Sequence, residues 1–288
     1  MTDRYAVFGH PIHHSKSPFI HRAFAMQTGQ DLEYTAIDAT PEHFATAVRT
    51  FFAEGGKGAN VTVPHKEAAL ALADDATPRA QEAGAANTLL FTADGAIYAD
   101  NTDGVGLIRD LTNRWGLSLE GKRILLLGAG GAAKGILAPL IAARPRAITV
   151  ANRTAARAEA LTTAFAPLAV RFDVTLTTLP WAQLVHRETT PPFDLVLNAT
   201  SASLAGSTPP LSRALWAPDA VAYDLMYGAT PTPFLMAAQQ QGAARLIDGL
   251  GMLVEQAAES FWLWRGVRPE TEPVYQALRT QLAASTAC

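Results

Sequence analysis

The chain has 288 residues, of which 49% are apolar and 17% charged, a composition typical of a globular protein with room for about two domains. The net charge of −3 gives no electrostatic reason to expect nucleic-acid binding, and no apolar run is long enough for a membrane span. One cysteine, Cys288, excludes an internal disulfide framework. Because the first residues also lack a signal-peptide pattern, we expect a cytoplasmic protein.

The first hundred residues alternate between strand-like and helix-like segments. Alternating or continuous apolar runs predict strands, and apolar residues three or four positions apart predict helices. Strands that alternate with helices indicate βαβ units and a mostly parallel sheet. The predicted strands are Tyr5–Phe8, Leu32–Asp38, Ala59–Val63, Thr88–Phe91 and Ala96–Ala99, and the predicted helices are Phe19–Gln27, Pro41–Glu54, His65–Asp74 and Asp103–Trp115.

A second α/β region begins with a glycine-rich turn. The segment Arg123–Ala133 reads RILLLGAGGAA, which is typical of a buried parallel strand that turns sharply into a helix. Gly128 permits the tight turn, Gly130 lets the backbone approach a diphosphate, and Ala133 takes the close-packing position. The free N–H groups at the helix start suit that anion. The pattern therefore predicts dinucleotide binding.

The following strand indicates which dinucleotide binds. It lies in the segment AITVANRT and ends where an enzyme that uses NAD usually carries Asp or Glu. This chain has Asn152 and Arg153 at that position. Because an arginine there accommodates a 2′-phosphate, the predicted cofactor is NADP. A glycine-rich turn of some other α/β domain is the alternative, but it would not explain the arginine.

The rest of the chain completes the second region and adds a long helix. Further strands are predicted at Ile148–Ala151, Phe193–Leu197 and Val221–Leu225. The segment MLVEQAAESFWLW is strongly helical, and we expect this helix to return and pack on the first domain. The helix presents one apolar face, formed by Leu253, Ala257, Phe261 and Trp264.

These elements predict two α/β domains with an interdomain cleft, where small ligands usually bind. Residues 1–104, completed by residues 250–288, form a substrate-binding catalytic domain with a mostly parallel sheet. Residues 105–249 form a Rossmann-type NADP-binding domain.

Two serines precede the first predicted helix. Ser17 and Pro18 form a good helix start, with Ser17 as the N-cap and proline at the first helical position. Ser15 has no capping role in this interpretation. A helix N-terminus flanked by serines also suits a carboxylate, so Ser15 favours a binding function.

Lys66 and Asp103 are the candidate pair for chemistry. Lys66 falls in the first turn of a predicted helix, where a cation is disfavoured, so we expect a carboxylate or an anionic substrate opposite it. Asp103 lies in a turn after a strand, on the rim where open α/β sheets bind ligands. Thr102 or Asp103 alternatively caps the following helix. Asn87 lies on a similar boundary and can donate hydrogen bonds to hydroxyl groups.

Other kinds of catalytic site are not indicated. His10, His13, His14 and His21 crowd the N-terminal region without any metal-site spacing, so we expect no metal. No GxSxG nucleophile motif is present, and Cys288 at a chain terminus is a poor nucleophile.

Taken together, these segments closely resemble the shikimate dehydrogenase family. The resemblance runs nearly end to end and implies the reversible NADPH-dependent reduction of 3-dehydroshikimate to shikimate, a step of chorismate and aromatic amino acid biosynthesis. It also implies a small-molecule substrate and a monomer or homodimer. The matching segments are YAVFGHPIHHSKSP, GGKGANVTVPHK, GAANTL, DNTDGVG, GAGGAAKG, ANRT, NATS and DGLGMLVEQA.

The resemblance further implies a role for individual residues. Lys66, as proton donor and acceptor, and Asp103 form the catalytic pair; Asp103 orients Lys66, binds a hydroxyl or shares the proton, and these alternatives stay open. The implied substrate-binding residues are Ser15 and Ser17 for the carboxylate, Thr62, Asn87 and Gln256 for the hydroxyls, and Tyr227 along the pocket. The implied cofactor-binding residues are Gly128, Ala129, Gly130, Gly131 and Ala132 for the diphosphate, Asn152, Arg153, Thr154 and Arg157 for the 2′-phosphate, and Leu225 and Gly249 beside the nicotinamide.

Two positions depart from the family pattern. Ser203 stands where the family usually has glycine, and Leu225 where it often has methionine. We expect both to bear on cofactor affinity and not on the chemistry.

Three other functions compete with this interpretation. A quinate/shikimate dehydrogenase of broader specificity that uses NAD is disfavoured by Arg153. A methylenetetrahydrofolate dehydrogenase is disfavoured by Ser15 and Ser17, which suit a small hydroxylated carboxylate. A non-catalytic shikimate-binding regulator would be expected to have lost Lys66, Asp103 or the glycine turn, and all three are present.

Overall fold

A computed structural model describes residues 2–185, 191–200 and 208–284. Two residues singled out above, Ser203 and Cys288, lie outside these ranges. None of the helices in the described ranges is long and apolar enough to cross a membrane.

Strands and helices are numbered here in chain order. The strands are β1 (Asp3–Gly9), β2 (Leu32–Asp38), β3 (Gly56–Val61), β4 (Asp75–Ala76), β5 (Thr88–Phe91), β6 (Ile97–Asp100), β7 (Arg123–Leu127), β8 (Ala147–Asn152), β9 (Thr175–Pro180), β10 (Phe193–Asn198), β11 (Trp216–Asp224) and β12 (Arg245–Asp248). The helices are α1 (Ser17–Thr28), α2 (Phe44–Ala53), α3 (Lys66–Leu72), α4 (Pro78–Ala83), α5 (Asp103–Arg109), α6 (Gly131–Ala142), α7 (Ala155–Arg171), α8 (Pro233–Gln241), α9 (Leu250–Arg265) and α10 (Glu272–Ala284).

The chain divides into two compact units. The first unit contains the chain up to Gly106 together with Leu253–Ala277, and the second contains Leu107–Met252 together with the chain from Leu278 onward. The predicted domains, 1–104 with 250–288 and 105–249, have slightly different bounds and stay a prediction: residues 105 and 106 fall in the first unit, and residues 250–252 and the chain from Leu278 fall in the second. One physical reason is that Arg279 of α10 forms two hydrogen bonds with Asp248 of that unit.

The first unit is built on a six-stranded sheet in the order β2-β1-β3-β5-β6-β4. β1 pairs in parallel with β2 and β3, and β4 with β6, while β5 runs antiparallel to both its neighbours. Such a reversal needs only a short turn between β5 and β6, which Asp94 and Gly95 supply with a φ of +87° at the glycine. The sheet is therefore mostly parallel, as the sequence predicts, with one antiparallel strand.

Two short elements of the first unit escape the sequence pattern. β4 and α4 are too short to show a hydrophobic period. Helix α4 nevertheless carries clear end signals, because the Thr77 side chain accepts a hydrogen bond from the Ala80 N–H, Pro78 opens the helix and Gly84 closes it at a φ of +59°.

The second unit is built on a parallel six-stranded sheet in the order β12-β11-β10-β7-β8-β9. From β7 the chain moves outward to β8 and β9, then returns to the other side of β7 for β10, β11 and β12. This is the strand order of a Rossmann domain, and the order reverses between β7 and β10. Strands β9 and β12 were not predicted, since β9 is largely exposed and β12 is only four residues long.

A buried polar group lies inside the first unit. The His21 side chain is fully buried and its ring stacks on Tyr34 with 4.2 Å between centroids. His21 Nε2 and the Tyr34 hydroxyl both reach Asn60 Oδ1, at 3.1 and 2.7 Å. Burial lowers the pKa of His21 to about 3, although the hydrogen bond to Asn60 opposes the shift. The imidazole is therefore neutral at physiological pH.

We predict that acid destabilises the protein through His21. The unfolded chain binds a proton at the ordinary histidine pKa of 6.5, whereas the folded chain excludes it down to about 3. The stability linked to neutral His21 is fully present above pH 6.5 and is lost as the pH falls toward 3, with a slope of up to about 1.4 kcal/mol per pH unit. Urea unfolding at several pH values should show a shallower dependence for His21→Gln. His14→Gln, at an exposed position, is the control, and equal slopes for all three proteins would contradict the prediction.

Candidate active site

The candidate residues of the first unit converge on one edge of its sheet. β1, β3 and β6 all run in the same direction, so their carboxyl ends share that edge. Because β5 runs the other way, its beginning lies there too. The loops at this edge carry the serines after β1, Thr62 and Lys66 after β3, Asn87 before β5 and Asp103 after β6.

Lys66 and Asp103 form an ion pair at this edge. Lys66 is the first residue of α3, Asp103 is the first residue of α5, and Lys66 Nζ donates to Asp103 Oδ2 at 2.5 Å. Their side chains are only 18% and 7% exposed. A carboxylate therefore offsets the cost of placing an ammonium group at a helix N-terminus, as the sequence led us to expect.

The other carboxylate oxygen of Asp103 is held by Asn87, whose Nδ2 donates to Oδ1 at 2.9 Å. The backbone N–H of Asp103 donates to Asn101 Oδ1 at 3.1 Å. Asn101 thus provides an acceptor for the N–H of the first residue of α5. The Thr102 hydroxyl instead contacts the amide groups of Asn87 and Gln256.

The Asn87 side chain has a fixed orientation. Its Oδ1 accepts the Thr102 backbone N–H at 2.8 Å, which turns its Nδ2 toward Asp103 and toward Gln256 Oε1, at 3.1 Å. Gln256 lies on α9 and donates from Nε2 to the Leu253 carbonyl. Three of the predicted residues, Asn87, Asp103 and Gln256, are therefore joined by direct hydrogen bonds.

The serines of the same edge differ from the expected capping arrangement. Lys16, in a helical conformation, is the N-cap of α1, and no side chain caps the helix. Ser17 is already helical, so the prediction that it is the N-cap is wrong. Ser15 does not cap the helix, as predicted, although its hydroxyl accepts the Ser17 N–H at 3.3 Å. Thr62 is half-buried, and its N–H donates to the Phe8 carbonyl of β1.

The glycine turn of the second unit has the geometry of a diphosphate site. Gly128 has a φ of +111°, and an added Cβ would lie 3.0 Å from the Ala199 carbonyl oxygen, so only glycine fits. An added Cβ on Gly130 or Gly131 would meet nothing within 4 Å. The backbone therefore begins α6 facing open space, while Ala133 is fully buried in the core below. Ala129 and Ala132 complete the turn, the first buried and the second half-buried.

Two arginines lie free near the carboxyl end of β8, the strand next to the glycine turn. Arg153 and Arg157 are exposed, and neither has an ion-pair partner among the residues that the structure describes. Between them Thr154 is the N-cap of α7, and Asn152 Nδ2 donates to the Thr154 carbonyl at 2.9 Å. Unpaired guanidinium groups at this place fit the 2′-phosphate of NADP.

The loops after β11 and β12 are in backbone contact. An added Cβ on Gly249 would lie 2.1 Å from the Leu225 carbonyl oxygen, and the Gly249 N–H donates to the Met226 carbonyl at 3.1 Å. Tyr227 lines a cavity of 210 Å³ in this unit. Burial, together with the charge of Asp248, raises the pKa of Tyr227 to about 12, so its phenol is neutral.

Sequence reasoning missed three residues behind the first-unit site. Asn60 Nδ2 donates to Thr88 Oγ1 and Ser260 Oγ, at 3.2 and 3.0 Å, and Thr88 Oγ1 donates to Asn87 Oδ1 at 2.9 Å. All are buried. The available signal was the presence of polar Asn60 and Thr88 within apolar strand patterns, since buried polar groups require partners.

Three family models match segments of this chain. Residues 7–89 match the shikimate dehydrogenase substrate binding domain, residues 110–205 match shikimate / quinate 5-dehydrogenase, and residues 249–279 match the shikimate 5′-dehydrogenase C-terminal domain. A Dechloromonas aromatica protein named shikimate dehydrogenase (NADP(+)) is 56% identical over 99% of this chain and 100% of its own length.

Solved structures are also similar to this chain in sequence and fold. An Ael1 enzyme from Pseudomonas putida is 48% identical with a TM-score of 0.86, and the match covers 96% of this chain and 98% of that one. Shikimate 5-dehydrogenase from Thermus thermophilus, in complex with NADP(H) and shikimate, is 33% identical with a TM-score of 0.82, covering 97% and 99%. The chain belongs to the shikimate dehydrogenase family.

Proposed function

We propose that this protein catalyses the reversible NADPH-dependent reduction of 3-dehydroshikimate to shikimate. The observation that carries the proposal is the 2.5 Å contact between Lys66 Nζ and Asp103 Oδ2, at the sheet edge that also carries the serines, Thr62 and Asn87. In this proposal the first unit binds the substrate and the second unit binds NADP. The family membership and the named relatives support both assignments.

The chemistry requires a proton where negative charge develops. NADPH, when bound, supplies the hydride that reduces the carbonyl carbon. The Lys66 ammonium group donates a proton to the carbonyl oxygen, and in the oxidation direction neutral Lys66 accepts the proton of the alcohol. Asp103 Oδ2 accepts a hydrogen bond from Lys66 Nζ, and Asp103 Oδ1 accepts one from Asn87 Nδ2. These two contacts position the Lys66 ammonium group as the proton donor.

The neighbouring side chains suit a small hydroxylated carboxylate. The Ser15 and Ser17 hydroxyls at the start of α1 provide donors for the carboxylate, supported by that helix N-terminus. Thr62, Asn87 and Gln256 provide hydroxyl and amide groups for the ring hydroxyls.

The named alternative is a quinate/shikimate dehydrogenase that also uses NAD. The exposed and unpaired Arg153 and Arg157 favour NADP instead, because without a 2′-phosphate they would have no anionic partner in the described part of the chain. Assays with quinate and with NAD⁺, run in parallel with shikimate and NADP⁺, separate the two activities. The cytoplasmic location and the monomeric or homodimeric state stay predictions.

Removal of the Lys66 ammonium group should abolish most of the turnover. Positioned proton transfer contributes about 10²- to 10⁴-fold, so Lys66→Met should lower kcat by about that factor. The reduction of NADP⁺ by shikimate, followed by absorbance, measures the effect. Lys57→Met, an exposed lysine of β3, should retain the wild-type kcat. A Lys66→Met variant with normal kcat and a raised KM would make Lys66 a binding residue and not the acid.

Cofactor preference should depend on the two arginines of the second unit. The double variant Arg153→Ser with Arg157→Ser loses two charge-assisted contacts to the 2′-phosphate, so its KM for NADP⁺ should rise by about 10²-fold while its KM for NAD⁺ changes little. Arg146→Ser removes an exposed arginine of the same unit and serves as the control. Equal losses with both cofactors would mean that the arginines do not contact the 2′-phosphate.

A further inference from the structure

We propose that Arg79 is a positioning residue for the catalytic Asp103, through Asp100, and for Gln256, through Glu259. Neither the sequence motifs nor the family resemblance assigned a role to this arginine. The inference rests on the proposed function and deepens it, because it identifies what fixes Asp103 and Gln256 relative to one another.

Arg79 binds the carboxylate of Asp100, which is buried. Asp100 is 1% exposed, and Arg79 grips both of its oxygens, with Nε donating to Oδ1 and Nη2 donating to Oδ2, each at 2.6 Å. Thr77 adds a third donor at 2.7 Å. Such a two-pronged contact fixes the carboxylate in orientation as well as in position.

Asp100 in turn contacts the residues that lead from β6 to Asp103. Its Oδ1 accepts the Asn101 backbone N–H at 2.6 Å, and the Asn101 side chain in turn accepts the backbone N–H of Asp103 at 3.1 Å. A second bond from Asn101 Nδ2 to the Ala85 carbonyl keeps that side chain in place. The backbone of Asp103 is therefore connected to the Arg79–Asp100 contact by two successive hydrogen bonds.

The same guanidinium group also reaches α9. Its Nη1 and Nη2 lie 3.3 and 3.4 Å from Glu259 Oε1, and the Glu259 side chain is 6% exposed. Glu259 and Gln256 are three residues apart on α9 and so share a helix face. Arg79 thus connects the strand that ends before Asp103 with the helix that carries Gln256.

Arg268 offers a matched control for this arrangement. It binds the other oxygen of the same glutamate, Nη2 to Oε2 at 3.0 Å, but its side chain is 43% exposed and it does not contact Asp100. An arginine that only stabilises the unit through Glu259 would behave like Arg268. Substitution of an arginine that positions Asp103 would instead lower kcat.

The test compares steady-state kinetics of Arg79→Gln, Arg79→Lys and Arg268→Ala with shikimate and NADP⁺. A small misplacement of a catalytic group can cost about 10²-fold, so Arg79→Gln should lower kcat by about 10- to 10²-fold while its KM for NADP⁺ stays unchanged. Arg79→Lys keeps a charge beside Asp100 but cannot span Asp100 and Glu259, so its kcat should be intermediate. It also carries the test if Arg79→Gln fails to fold. Arg268→Ala should retain the wild-type kcat.

The link to Asp103 is tested by a double-mutant cycle. If Arg79 acts through Asp103, adding Arg79→Gln or Arg79→Lys to Asp103→Asn should change kcat by less than about twofold, whereas independent effects would multiply. A full additional loss in the Asp103→Asn background, or a wild-type kcat for both Arg79 variants, would overturn the positioning role alone. Wild-type protein and Arg268→Ala that are both inactive with shikimate and NADP⁺ would overturn the proposed function, and the positioning role with it.

Discussion

The contact between Lys66 and Asp103 is the interaction on which the site depends. An ammonium group at a helix N-terminus is unfavourable by itself, and a nearly buried carboxylate without a partner is more so. Each group therefore stabilises the other, provided that the backbone brings them together. The backbone does so because β3 and β6 end at the same edge of the sheet, with the antiparallel β5 between them.

Much of the fold can be predicted from short sequence patterns. The turn at Gly128, the buried strands β7 and β8 and the regular alternation of strands and helices each depend on a few neighbouring residues. Their positions were predicted to within a few residues for this reason. The reversal at β5 was not predicted, because the direction of a strand depends on its partners and not on its own residues. Elements such as β4 are too short to show any period.

The candidate site shows the same division. Lys66, Asp103, Asn87 and Gln256 could be named from motifs, but the partners of these residues could not. The cap of α1 was misassigned for a related reason, since this helix begins one residue earlier than its Ser-Pro pair suggests. Hydrogen bonds between residues distant in sequence, such as that of Asn60 with Ser260, depend on the completed fold.

The residues proposed to bind the substrate and those proposed to select the cofactor differ in burial and in the number of their contacts. Asp103 and Asn87 are buried and joined to many other groups, so a substitution there disturbs several hydrogen bonds at once. Arg153 and Arg157 are exposed, and their side chains make no hydrogen bond or ion pair with the described part of the chain. Under the proposed function, substitutions at the two arginines would change the choice of dinucleotide without repacking, whereas substitutions at Asp103 or Asn87 would also disturb the folded structure around the substrate. On this proposal, cofactor preference is easier to alter by evolution or by protein engineering than substrate binding is.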